Sequence, residues 1–113
     1  MPVLKAPALQ SLATNLLVGA GASPAEAETV ARHSVEANLT GHDSHGIIQI
    51  PSYIDLSDKG HIVPGATIDI VSESPTTTVV DGNWGFGYVV TEDVMHRTIA
   101  KAKQQNVAAA TVY

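Results

Sequence analysis

The hydrophobic period of this chain changes at Gly60, and that change limits what it can fold into. Ahead of it, Leu9, Leu12, Ala13, Leu16, Leu17 and Ala20 recur at helical spacing. They predict one buried stripe on a first helix, ended by Gly19 and Gly21. The next stretch, "SPAE", places Ser23 as N-cap, Pro24 at the first helical position and Glu26 to complete a capping box. The second helix should bury Ala27, Val30, Ala31, Ser34 and Val35, pair Glu28 with Arg32 outside, and stop near Thr40 and Gly41. A third helix follows, ends at Lys59–Gly60, and holds Pro51 in its first turn, since further inside the ring would clash with Ile47.

Beyond Gly60 the pattern alternates. "TIDIV" predicts a strand, "SESP" a turn and "TTTVVD" a buried strand. "GNWGFG" is a glycine-rich loop. A helix from about Val89 to Gln105 should bury Val90, Val94, Met95, Thr98, Ile99 and Ala102, with Asn106 as a left-handed cap. "VAAATVY" then predicts a strand parallel to its predecessor, because it follows a strand–loop–helix unit. Parallel strands need cover on both faces, yet the sequence stops at Tyr113. The expected fold is mixed α/β and cut short. A helical segment of about three helices, residues 1–62, leads into the opening strands and helix of an α/β domain, residues 63–113.

Composition removes several functions. With a net charge of −5 and scattered Lys and Arg there is no basic stripe for nucleic acid. Arg97, Lys101 and Lys103 share a helix with Glu92 and Asp93 and are expected to form a solvated face. The chain has no cysteine, which excludes disulfides, thiolate zinc sites and cysteine nucleophiles. No apolar run approaches the roughly 18 residues of a membrane span, and no signal peptide is evident, so a cytoplasmic protein is expected.

The chemistry concentrates in "LTGHDSHGIIQIPSYI", residues 39–54. As metal ligands, His42 and His45 would need Asp43, His33 or His61 as a third, and no HExxH pattern supports them; no metal is expected. A Ser44 nucleophile lacks a G-x-S-x-G elbow, and adjacent side chains diverge, which makes a bond from Ser44 to His45 unfavourable. Ser44 is better explained as a helix N-cap. If a helix begins at or just after Ser44, His45, Gln49 and Tyr53 fall four apart on one face. His45 could then act as general acid or base, with Gly46 leaving room for a substrate. From chemistry alone, a hydrogen-bonded surface turn is the favoured reading. "GNWGFG" has the order G-x-x-G-x-G and lacks an acidic partner about 20 residues on, so it fails the dinucleotide fingerprint; a turn needing positive φ explains it as well.

"LTGHDSHGIIQIPSYI", "KGHIVPGA", "SPTTTVVDGNWGFGYVV" and "AKQQNVAAATV", in that order, resemble the N-terminal third of the malate/L-lactate dehydrogenase family. That family includes ureidoglycolate dehydrogenases, diketogulonate reductases and sulfolactate dehydrogenases. The resemblance implies an NAD(P)-dependent oxidoreductase moving a hydride to or from a 2-hydroxy/2-oxo acid or related carbonyl compound. It implies a cofactor domain without the Rossmann fingerprint, and a homodimer with its active site in a cleft between domains. The histidine of "SHG", here His45, is implied as proton donor to the substrate, with Ser44, Gln49 and Tyr53 lining the pocket. Many members carry arginine where this chain has Gln49, which supplies hydrogen bonds but no charge. Most of the NAD or NADP contacts are expected beyond residue 113, so the segment alone should be inactive. A stand-alone dimerisation or binding module is the competing expectation.

Overall fold

Capping chemistry sets where the helices begin and end. In the computed structural model, which describes residues 3–113, the chain forms two compact units, Met1–Gly65 and Ala66–Tyr113.

The first unit contains α1 (Ala6–Gly19), α2 (Pro24–Leu39) and α3 (Ile50–Asp58). The expected capping box is present. Ser23 Oγ accepts from Glu26 N at 3.2 Å, and Glu26 Oε2 accepts from Ser23 N at 3.1 Å. Glu26 Oε1 also accepts from Gly65 N at 2.7 Å, which ties the end of the unit to the start of α2. At the C-terminus of α2, Gly41 takes φ +86° and His42 N donates to Ala37 O at 2.8 Å, a Schellman closure that only a residue without Cβ adopts readily. Gly21 and Gly60 close α1 and α3 in the same way.

All five residues expected inside α2 are buried. The stripe expected on α1 is narrower than the sequence suggests: Ala13 and Leu17 are buried, while Leu12 and Leu16 remain 52% and 49% exposed. α1 packs on α2 and touches α3, and this contact covers a strip four residues apart. Leu12 and Leu16 lie one residue round the helix, about 100° away, outside it.

The second unit has a sheet in the order β1 (Asp69–Glu73), β2 (Thr77–Asp81), β3 (Ala109–Val112), with α4 (Gly87–Gln105) between β2 and β3. β1 is antiparallel to β2, and β3 is parallel to β2 as expected. The first strand runs later than "TIDIV", so Ser72 and Glu73 belong to β1 and the turn falls on 74–76. β2 alternates instead of being wholly buried: Thr78 and Val80 are inside and Thr77 is exposed, because α4 covers one face. Val80, Val90 and Val94 form the core with Ile68 and Ala110 packed against it. Burying a valine contributes roughly 1.5–3 kcal/mol.

Two expectations about α4 fail. Met95 and Ile99 are exposed, since the covered strip runs through Val90 and Val94 and ends at Lys101. Lys101 does not lie on a solvated face. Its ammonium donates to Ser74 O at 2.8 Å and Thr77 O at 3.0 Å, and pairs with Glu73 at 2.8 Å. Asn106 caps α4 at φ +67° as expected. Among the described residues no helix is long and apolar enough to cross a membrane.

Candidate functional site

After Gly41 the chain makes two short 3-10 turns, Asp43–His45 and Ile47–Gln49, before α3 begins at Ile50. Gly46 separates them with extended dihedrals, φ −87° and ψ −154°. The helix expected from Ser44 therefore does not form there. Ser44 lies inside the first turn, and Gln49 is the N-cap of α3 without a side-chain cap bond. The extended Gly46 breaks the helical register, so the four-residue spacing of His45, Gln49 and Tyr53 does not place them on one helix face. Pro51 does sit in the first turn of α3.

The loop is held by a residue that sequence reasoning missed. Asn38, in the last turn of α2, accepts from Ile47 N at 2.8 Å and donates to Asp43 Oδ1 at 2.6 Å. Its amide grips the loop on both sides of Ser44–His45. A Cβ on Gly46 would collide with the Asn38 side chain, so the space above Gly46 is taken by Asn38 and is not left for a substrate. Asn38 acts nine residues away, and no short motif signals such a contact.

Within the loop, Ser44 Oγ lies 3.1 Å from His45 Nδ1. This overturns the expectation that adjacent side chains diverge. Nδ1 sits next to the ring's attachment point, within reach of the short serine stem. Gln49 Nε2 donates to Ser44 O at 2.8 Å and braces the turn from below. His45 is exposed; Tyr53 stands half-buried on α3. The His42 and His45 rings meet edge to face, 6.4 Å between centroids. Among the described residues no group of three or more His, Asp or Glu is placed to hold a metal ion. A cavity of about 620 Å³ between α1 and α2 is lined by Gln10, Thr14, Arg32 and Leu39 among others, and not by the histidine loop. The chemistry of His45 is thus presented on a clamped surface turn.

The glycine loop of the second unit is built differently from the expected turn. Its positive φ angles fall on Asn83 (+48°) and Trp84 (+59°), not on the glycines. Asn83 is fixed by bonds to Thr67 O at 2.7 Å, Asp69 Oδ2 at 2.8 Å and Asp81 Oδ1 at 2.8 Å. Gly82 and Gly85 sit close to α4: a Cβ on either would meet a Val90 methyl at 3.1 and 3.0 Å, a tight contact. They let the loop pack closely on α4, and a cavity of about 540 Å³ opens beside it, lined by Gly82, Trp84, Gly85, Gly87, Thr91 and Tyr113 among others.

Residues 4–113 match the family model described as Malate/L-lactate dehydrogenase. The chain belongs to the malate/L-lactate dehydrogenase family. Within it, hydroxycarboxylate dehydrogenase B of Escherichia coli O157:H7 is 40% identical over 93 residues, 82% of this chain and 26% of that protein. The solved sulfolactate dehydrogenase of Methanocaldococcus jannaschii superposes with a TM-score of 0.94 at 37% identity, over 98% of this chain and 32% of that one. Malate dehydrogenase from Pyrococcus horikoshii OT3 gives a TM-score of 0.94 at 28% identity, over 96% and 31%. The chain thus spans between a quarter and a third of the length of these relatives.

Proposed function

We propose that this chain is the N-terminal portion of a hydroxy-acid dehydrogenase and carries its proton-transfer group, His45. The observation that carries the reading is the contact of Ser44 Oγ with His45 Nδ1 on a turn clamped to α2, in a chain of this family. The Ser44 hydroxyl engages Nδ1, and Nε2 is the ring nitrogen assigned to proton exchange with the substrate. In oxidation, Nε2 takes the proton of the substrate hydroxyl. In reduction, it returns that proton to the carbonyl oxygen as negative charge develops there. Ser44 holds the orientation of the ring, and Gln49 fixes the Ser44 carbonyl and hence the turn. Tyr53 contributes a hydroxyl to the same pocket.

The hydride chemistry belongs to a nicotinamide cofactor, NAD or NADP, held mainly by residues outside this chain. Residues 1–62 then serve the substrate and the homodimer, and 63–113 open the cofactor domain. The exposed Leu12 and Leu16 on α1 support a further protein surface there. A small 2-hydroxy or 2-oxo acid in the cytoplasm is the substrate we assign, by analogy with relatives named for malate and sulfolactate.

The test is His45→Ala in the full-length enzyme. It should lower kcat by about 10²–10⁴, the usual scale of general acid–base catalysis. Turnover close to normal would remove His45 from the mechanism.

A further inference from the structure

We infer that Asn38 is the positioning residue of the histidine loop, and that residue 46 is glycine in order to admit it. The catalytic consequence rests on the role proposed for His45; the clamp itself does not. Three observations meet here. The two ends of one amide engage both flanks of the loop, Asp43 before Ser44–His45 and the Ile47 N–H after it. Gly46 has φ −87° and ψ −154°, in the negative-φ half, so a left-handed backbone is not what calls for glycine here. What demands it is the Asn38 side chain, which occupies the place a Cβ would take.

Asn38 bonds to Asp43 and Ile47 and not to the His45 ring. It acts through Asp43 and Ile47 on the orientation of the imidazole. A larger residue at 46 must expel Asn38 from both hydrogen bonds, so Gly46→Ala and Asn38→Ala should break the same device. Their effects should not add, since residues sharing one network couple.

The experiment compares Asn38→Ala, Gly46→Ala and the double variant in the 113-residue chain by NMR, with helicity checked by circular dichroism. Each single variant should shift the His45 ring resonances and speed exchange of the Ile47 amide about tenfold or more, and the double should match either single. In the full-length enzyme kcat should fall about 10–10²-fold with KM within about twofold, as for a misplaced catalytic group. Additive effects, or unmoved His45 resonances, would overturn the proposal.

Should the alanine variants fail to fold, a swap tests the same point. Asn38→Asp keeps the acceptor for Ile47 N–H but sets a carboxylate against Asp43. Adding Asp43→Asn restores a donor–acceptor pair and should restore the His45 spectrum. No rescue would overturn the clamp. If His45→Ala leaves turnover intact while these variants still move the ring, the role of His45 falls and the clamp stands.

Discussion

The Lys101 ammonium lies 2.8 Å from the Glu73 carboxylate and fastens α4 to the turn that joins β1 and β2. Because the same group donates to Ser74 O and Thr77 O, it organises that turn as well as pairing a charge. Lys101→Met keeps the stem and removes all three bonds. It should destabilise the chain by about 1.5–3 kcal/mol, the range for hydrogen bonds to charged groups, as measured by urea unfolding. A loss below about 0.5 kcal/mol would mean that water satisfies the turn equally well.

Glu73 carries the matching pH dependence. The hydrogen bond from Lys101 holds its carboxyl below the usual value, the Lys101 charge adds to this, burial opposes it slightly, and Arg97 contributes a smaller pull. A depressed carboxyl stabilises the fold fully above the ordinary glutamate pKa of about 4.3, and the effect is lost as pH falls through the lower folded value. Glu73→Gln should flatten the acid limb of the stability curve. At neutral pH the change should be small, because the pair is partly open to solvent.

Ser34 poses the opposite case. It is fully buried in α2, and its hydroxyl has no hydrogen-bond partner among the described residues. Leaving a buried hydroxyl unmatched costs about 1–3 kcal/mol. Ser34→Ala should therefore leave stability unchanged or raise the melting temperature. A clear drop would reveal a partner for the hydroxyl in the working protein.

Ser44→Ala separates ring orientation from ring chemistry. Without the hydroxyl beside Nδ1 the imidazole loses the hydrogen bond that orients it. In the full-length enzyme kcat should fall about tenfold, equal to one hydrogen bond of about 1.4 kcal/mol, with KM almost unchanged. A rise in KM alone would make Ser44 a substrate contact.

What the sequence revealed follows the range of the interactions. Ser23, Glu26, Gly41, Gly60 and Asn106 act within a turn of their own position, and each has the predicted role. The parallel partner of β2 followed from topology rules that need only element order. Failures came where a third body decides. Leu12, Leu16, Met95 and Ile99 fit a helical stripe, but its width depends on how much of each helix its neighbour covers. Lys101 resembles any surface lysine until a turn 24 to 28 residues away is folded against it. At the candidate site the motif singled out His45 and its neighbours. The helix start was misplaced because the Asn38 side chain and Gly46 together set the backbone, and a long-range amide bond leaves no local pattern.

Trp84 is the only tryptophan in the chain, and it stands 77% exposed on a segment that Asn83 pins from three sides. The molecule thus has a built-in optical reporter whose response runs against habit. An indole already bathed in water changes its emission little on unfolding, so a fluorescence melt would be nearly blind to loss of structure. Anything that covers the 82–87 segment, whether more of the same polypeptide or another subunit, should move the emission to the blue and shield it from quenchers.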